Sequence, residues 1–233
     1  MAIQISRRCI PFTPFERPLN KAIVAMVSST GVHMKSQEPF DINDEQGDRS
    51  FRVIPANVEL SDLMITNSHY NHSDVDSDLN CIFPIETLQG LIKEGLIGGI
   101  AEKSIGLMGY SMQMKRIQED TAPKIATELE RSRADAVLMM AGCPVSHRTI
   151  CTIQREIELR GISTVLITLK PEESRPLRPP RCLYPMNFRL GHCVGAPQER
   201  MLHRQIVLDA LSLLNESVMP GTVIERSYSE YRV

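Results

Sequence analysis

The sequence predicts an α/β fold built on a mostly parallel sheet. Two observations carry that expectation. Short, continuous apolar runs at 21–28, 62–66, 104–108, 134–141 and 162–168 read as strands buried on both faces. Between and after them, 84–94, 121–131, 146–160 and 198–215 repeat their apolar residues with helical spacing. Alternation of the two kinds is the pattern of βαβ units, which place helices on both faces of a doubly wound, Rossmann-like sheet.

Taken in order, residues 1–20 are rich in Pro and Arg and read as irregular. The strand at 21–28 stops at Ser29, Thr30 and Gly31, a polar turn able to face a ligand. Residues 35–50 are polar and acidic, a loop, and 51–54 a short strand. The strand at 62–66 runs into a His-bearing stretch, 67–80. Pro84 suits the first turn of a helix whose inner face is Ile85, Leu88, Leu91 and Ile92, and Gly95 ends it. Thr121 can cap the next helix, with Pro123 in its first turn. In the helix at 146–160, Ile150, Ile153 and Ile157 share one face and Gly161 stops it. With its flanking strands it forms a β-α-β crossover, expected to be right-handed. A Pro/Arg-rich loop at 171–181 and a turn at 190–195 precede the last helix, which points Leu202, Ile206, Ala210, Leu213 and Leu214 inward. The tail from Pro220 is expected to be peripheral.

A length of 233 residues suits one α/β domain over 1–233, or two lobes at about 20–115 and 116–215. Net charge is −2 and no basic run carries interleaved aromatics, which argues against nucleic acid and anionic membranes as partners. The first residues show no hydrophobic leader and no apolar stretch approaches about 20 residues, so a cytoplasmic location is expected. Six cysteines, 9, 81, 143, 151, 182 and 193, are scattered without a C-x-x-C, so free thiols are expected rather than a zinc ribbon. Self-association is left open.

Cys143 is the first chemical candidate. An apolar strand stops at Gly142, Cys143 and Pro144 and turns into a helix, placing one sulfur at the carboxyl end of a sheet, where open α/β folds bind ligands. The helix N-terminus, with His147 and Arg148, would favour a thiolate. The plain alternative is a buried structural thiol. Cys151 lies eight residues on, roughly 12 Å along a helix, beyond the about 7 Å that a disulfide tolerates between Cα atoms. A resolving thiol would be Cys81, Cys182, Cys193 or a partner's. His69 and His72, with Asp74 two further on, form the second candidate: a base or proton donor with an orienting carboxylate, or metal ligands with Cys143; a surface loop is the bland alternative. His33 and Lys35, after the first strand, could meet a carboxylate or phosphate. Arg178, Arg181 and His192 could clamp and hydrogen-bond a substrate carboxylate. A plain turn and a solvated proline loop explain these last two groups equally well.

Several stretches together resemble one family. They are 31–40, 50–55, 68–76, 78–84 and 142–147, with Arg178 to Arg181 and Leu190 to His192 near the C-terminal end. The family is selenoprotein B: component B of glycine, sarcosine and betaine reductases and the small subunit of D-proline reductase. The resemblance spans about residues 20–215 and is closer to the short D-proline type. It implies that Cys143 stands where the family carries a selenocysteine that acts on the substrate's Cα–N bond, and that a thiol resolves the intermediate. It also implies a reductase complex in which another subunit supplies a pyruvoyl group. Sulfur here replaces selenium, Ser146 stands where a neighbouring cysteine is expected, and Asn71 where a carboxylate is common.

The leading expectation is therefore a thiol-dependent oxidoreductase acting on a small, carboxylate-bearing substrate and needing no cofactor of its own. Cys143 is its nucleophile. His69 or His72 is the base, Asp74 orients it, and His147 stands close by. Two rivals stay open. One is metal-assisted, non-redox C–S or C–N cleavage of a small heterocycle, with a divalent metal on Cys143, His69 and His72. The other is a non-catalytic subunit of a reductase complex.

Overall fold

Ten strands and six α-helices make up the computed structural model, which describes residues 9–232. In chain order they are β1 (Ile23–Ser28), β2 (Val32–Met34), β3 (Phe51–Pro55), β4 (Leu63–Ile65), α1 (Ile85–Lys93), β5 (Gly99–Ile100), β6 (Lys103–Leu107) and α2 (Met114–Arg116). A π-helical stretch, Ile117–Thr121, then leads into α3 (Ala122–Arg131), followed by β7 (Ala136–Ala141), α4 (His147–Leu159), β8 (Ser163–Thr168), α5 (Pro171–Ser174), β9 (Cys182–Pro185), α6 (Arg200–Ser212) and β10 (Val223–Arg226). Of the irregular N-terminal stretch, 1–8 lies outside the described residues; 9–18 is irregular and Leu19–Lys21 forms a 3-10 turn.

Eight strands form one sheet in the order β10-β9-β8-β7-β1-β6-β3, with β5 also beside β1. Every pairing is parallel except β3 with β6. The pleat explains the continuous apolar runs. Along β7, Ala136, Leu138 and Met140 join one core, and Val137, Met139 and Ala141 join the other. Helices α1 and α6 cover the first core through Leu88, Leu91, Leu202 and Ile206. Helices α3 and α4 cover the second through Ile125, Leu129, Ile150 and Ile153. The mostly parallel sheet with helices on both faces is the predicted doubly wound class.

From β1 the chain builds outward to β5 and β6; through α3 it crosses back over β1 to β7, then builds the other way to β8, β9 and β10. The boundary between β1 and β7 is therefore the topological switch point, whose carboxyl-end crevice is the ligand position of open α/β sheets.

Two expectations need correction. The run at 62–66 is not part of the main sheet: β4 pairs antiparallel with β2 in a separate two-stranded ribbon. The tail is not peripheral either. β10 extends the sheet edge in parallel register with β9, Val223 opposite Cys182. Both β9 and β10 are only four residues long, too short for periodicity to reveal. Among the described residues no helix is long and apolar enough to cross a membrane.

Candidate active site

The carboxyl ends of β1, β6 and β7 meet around Cys143. Ser29, one residue past β1, donates its N–H to the Met140 carbonyl at 3.0 Å. Its hydroxyl lies 2.9 Å from Ser146 Oγ, which donates to the Cys143 carbonyl at 3.0 Å. Two glycines permit this approach. A Cβ on Gly109, where φ is +93°, would fall 2.4 Å from Ser146 Cβ. A Cβ on Gly142 would fall 2.8 Å from Cys193 Sγ and 3.0 Å from Thr30 Cγ2.

The loop 67–80 arrives through the small ribbon. Gly31 N–H bonds the Leu107 carbonyl at 2.9 Å, and Thr66 N–H bonds the Gly31 carbonyl at 2.9 Å, which fixes the ribbon to the ends of β1 and β6. Asn67 then lies with Oδ1 4.0 Å from Cys143 Sγ, its amide donating to the Met108 carbonyl at 3.2 Å. The Tyr70 hydroxyl donates to the Thr30 carbonyl at 3.0 Å. Cys143 is thereby enclosed, with no exposed surface.

That enclosure overturns the expected low-pKa thiolate. Burial pushes the Cys143 thiol up; the Val145 N–H at the helix start pulls the other way and loses. The neighbours expected to help point elsewhere. Arg148 is exposed, and His147 turns its Nδ1 to Ser174 Oγ at 2.9 Å and Thr168 Oγ1 at 3.3 Å.

The other expected site residues separate into those the structure brings near and those it does not. His69 donates its backbone N–H to the same Asn67 Oδ1, at 2.9 Å, and lays its ring against Tyr110. The expected pairing of Asp74 with His69 or His72 is not the one formed. His72 Nδ1 pairs with Asp76 at 2.9 Å, while Asp74 Oδ2 pairs with the buried His192 Nε2 at 2.8 Å. His192 Nδ1 in turn lies 2.9 Å from the Tyr231 hydroxyl. Partial burial would raise the Asp74 carboxyl, but the hydrogen bond and charge of His192 and the Val75 N–H hold it below the ordinary range. This chain of three fastens the 67–80 loop to the 190–195 turn, whose Gly191 N–H reaches the Gly142 carbonyl at 3.1 Å.

The carboxylate clamp expected of Arg181 is not assembled. Arg181 lies beside the amino-terminal half of β8, away from Cys143. It is 1% exposed, bonds Glu158 Oε1 at 3.0 Å and the Thr13 carbonyl at 2.7 Å, and stacks on Phe12. Arg178 precedes it on the same side and packs near Gly221. His33 is also interior: Nδ1 meets the Met34 carbonyl and Nε2 the Thr66 hydroxyl, each at 2.8 Å. Lys35 lines a separate cavity. Nor do Cys143, His69 and His72 converge as metal ligands. The three donors that do converge among the described residues, Asp78, Cys81 and His203, include none of them.

Sequence reasoning passed over Asn67 and Tyr70, which touch the site, and Tyr231, which holds His192. The first two flank the flagged histidines; nothing local in the tail marks Tyr231.

Against known proteins, the chain is 36% identical over 217 residues to the D-proline reductase subunit gamma of Acetoanaerobium sticklandii, covering 93% of this chain and 88% of that one. It belongs to the selenoprotein B family. More distant members are the glycine reductase complex component B subunit gamma of Symbiobacterium thermophilum, 25% identical over 93% of this chain and 51% of that one, and the sarcosine reductase complex component B subunit beta of Peptoclostridium acidaminophilum, 23% identical over 93% and 50%. The chain thus spans about half the length of those two subunits. No protein-family model matches it, and no solved structure matches it significantly. The sites of this selenoprotein B member are accordingly read from its own residues.

Proposed function

We propose that this chain is the nucleophile-bearing subunit of a reductase complex that cleaves the Cα–N bond of a small amino acid, with Cys143 as the attacking group. One observation carries the reading: the residue standing where the family is expected to carry selenocysteine sits at the switch-point crevice between β1 and β7. The names of the relatives support the substrate class, D-proline, glycine or sarcosine.

The chemistry balances with thiols alone. The Cys143 thiolate attacks Cα, and the C–N pair leaves with the amine, which takes a proton. A second thiol attacks the Cys143 sulfur; the C–S pair passes to carbon with a proton and a disulfide remains. The substrate gains two electrons, and an external dithiol restores the enzyme. Of the three thiols left open by the sequence, Cys193 lies beside Gly142, whereas Cys182 is buried in the opposite core. Cys81 turns its sulfur to His203 Nε2, 4.0 Å away, which leaves Cys193 or a partner's thiol as the proposed resolving group. A pyruvoyl group on a partner subunit would activate the amine as an iminium and make it a better leaving group. The buried Cys143 needs the stretch around Asn67 and Tyr70 to move before substrate reaches it, and docking of that partner is the natural trigger.

The test uses the chain assembled with its partner subunits and a dithiol. Consumption of D-proline, glycine or sarcosine is followed with native chain and with Cys143→Ser. A loss of about a hundredfold or more in kcat is expected. Undiminished turnover by Cys143→Ser, or none of the three substrates consumed by the native complex, sinks the proposal.

A further inference from the structure

We infer that Asp78, Cys81 and His203 form a divalent-metal site of the zinc type, separate from Cys143. Asp78 caps the 3-10 turn Leu79–Cys81, and in a 3-10 turn side chains three apart line up on one side. That brings the Asp78 carboxylate and the Cys81 sulfur together. His203, in the first turns of α6, closes the set from the facing helix. Its Nε2 lies 4.0 Å from Cys81 Sγ, and the three donor atoms all fall within 4.8 Å of one another. Tetrahedral zinc, with bonds of about 2.0–2.3 Å, asks for donors about 3.4–3.6 Å apart. Side-chain movements on the order of 1 Å therefore close the site.

The donor chemistry suits that ion: one thiolate, one imidazole and one carboxylate. The Cys81 and His203 side chains are buried, at 0% and 1% exposure. Asp78 is half-buried on the wall of a cavity of about 510 Å³ that it shares with Lys35, Glu86, Gln198 and Arg200, and this supplies an entry path. The carboxylate is already oriented. Oδ2 accepts from the Gln198 N–H at 2.8 Å, and Oδ1 accepts from the Asn80 N–H at 3.1 Å and its side-chain amide at 2.9 Å. His203 Nε2 now donates to the Ala196 carbonyl at 2.8 Å. Metal binding moves the ring proton to Nδ1 and expels the Cys81 thiol proton to solvent. The Ala196 carbonyl or a water from the cavity completes the fourth position.

The location gives the ion a role. The Cys81 carbonyl accepts from the Val194 N–H at 3.2 Å, and the adjoining Cys193 packs against Gly142. A metal here would pin the turn at 79–81 to α6 and brace the wall behind Cys143 without touching the reacting atoms.

The experiment loads chelator-treated, reduced full-length chain with zinc and, separately, with cobalt(II). One metal per chain is expected, with a thiolate-to-cobalt charge-transfer band and a rise in Tm. Cys81→Ser should lose the band, and Asp78→Asn and His203→Gln should each bind about tenfold or more weakly. Cys143→Ser should keep full stoichiometry and band, so failure here is distinguishable from failure of the Cys143 reading. The wild-type cobalt spectrum decides the matter even where a variant fails to fold: no thiolate band overturns the site. A band that disappears in Cys143→Ser but survives in Cys81→Ser overturns it too.

Discussion

Acidification should destabilise this protein through His147. The ring opens α4 and is 2% exposed. Its Nδ1 has the hydroxyls of Ser174 and Thr168, and among the described residues its Nε2 meets no polar partner. A charged imidazole there would lose its water with little in return, and burial pushes His147 down to about 4. Unfolded, it titrates near 6.5. Between those values the unfolded chain binds the extra proton, so stability rises with pH across the window. The contribution is fully present above about pH 6.5 and is lost as pH falls toward 4. At about 1.4 kcal/mol per pH unit, the gap amounts to roughly 3 kcal/mol. Burial also lowers His33 and His203 and raises the Glu158 carboxyl, which acts with the opposite sign, so the wild-type slope contains all three as well. The decisive comparison is therefore His147→Gln, which keeps a side chain able to meet the two hydroxyls but cannot titrate. Urea unfolding from about pH 4.5 to 7.5 should show the variant losing markedly less stability on acidification, whatever its absolute value. Parallel curves for the two proteins would refute a buried, neutral His147.

Three further outcomes are expected. Arg181→Met leaves the Glu158 carboxylate buried without its cation, which should cost about 3–5 kcal/mol and lower Tm by roughly 10 °C with substrate KM unchanged; an unchanged Tm with a raised KM would restore Arg181 as a substrate contact. Alkylation of Cys143, read by mass spectrometry, should climb about tenfold per pH unit from 7 to 9, because the thiol is pushed up by burial; a rate already level at pH 7 would mean a resident thiolate. Asp74→Asn should speed amide exchange across 67–80 at neutral pH. In the wild type the lowered Asp74 carboxyl supports the loop above its unfolded pKa of about 4, and that support is lost only as pH falls through the lower folded value. Exchange indifferent to the substitution would show that the His192 contact does not hold the loop.

What could be read from the chain alone followed from local rules. Apolar runs such as 134–141 are strands because both their faces are buried, and Cys143 ends one of them wherever that strand lies in the sheet. The Ile150, Ile153 and Ile157 stripe with Gly161 behind it is a helix for the same local reason. Periodicity could not show which side chains meet across long sequence separations. Asp74 reaches His192 and Arg181 reaches Glu158 only after α4, α6 and the sheet have been stacked. Asp74 could equally have served His69 or His72, five and two residues away in the chain, and only the packed loop chose otherwise.

The amino-acid order by itself determined the α/β class, the family and the strand-to-helix turn that carries Cys143, because each depends on neighbours in sequence. Tertiary structure alone decided that β1 and β7 meet at the switch point, that β10 completes the sheet, and that the thiol is enclosed. The last is a matter of solvation: a helix start favours the thiolate, but removal of water by Asn67, Tyr70 and the sheet ends outweighs it, and no local pattern records how much water a folded chain excludes.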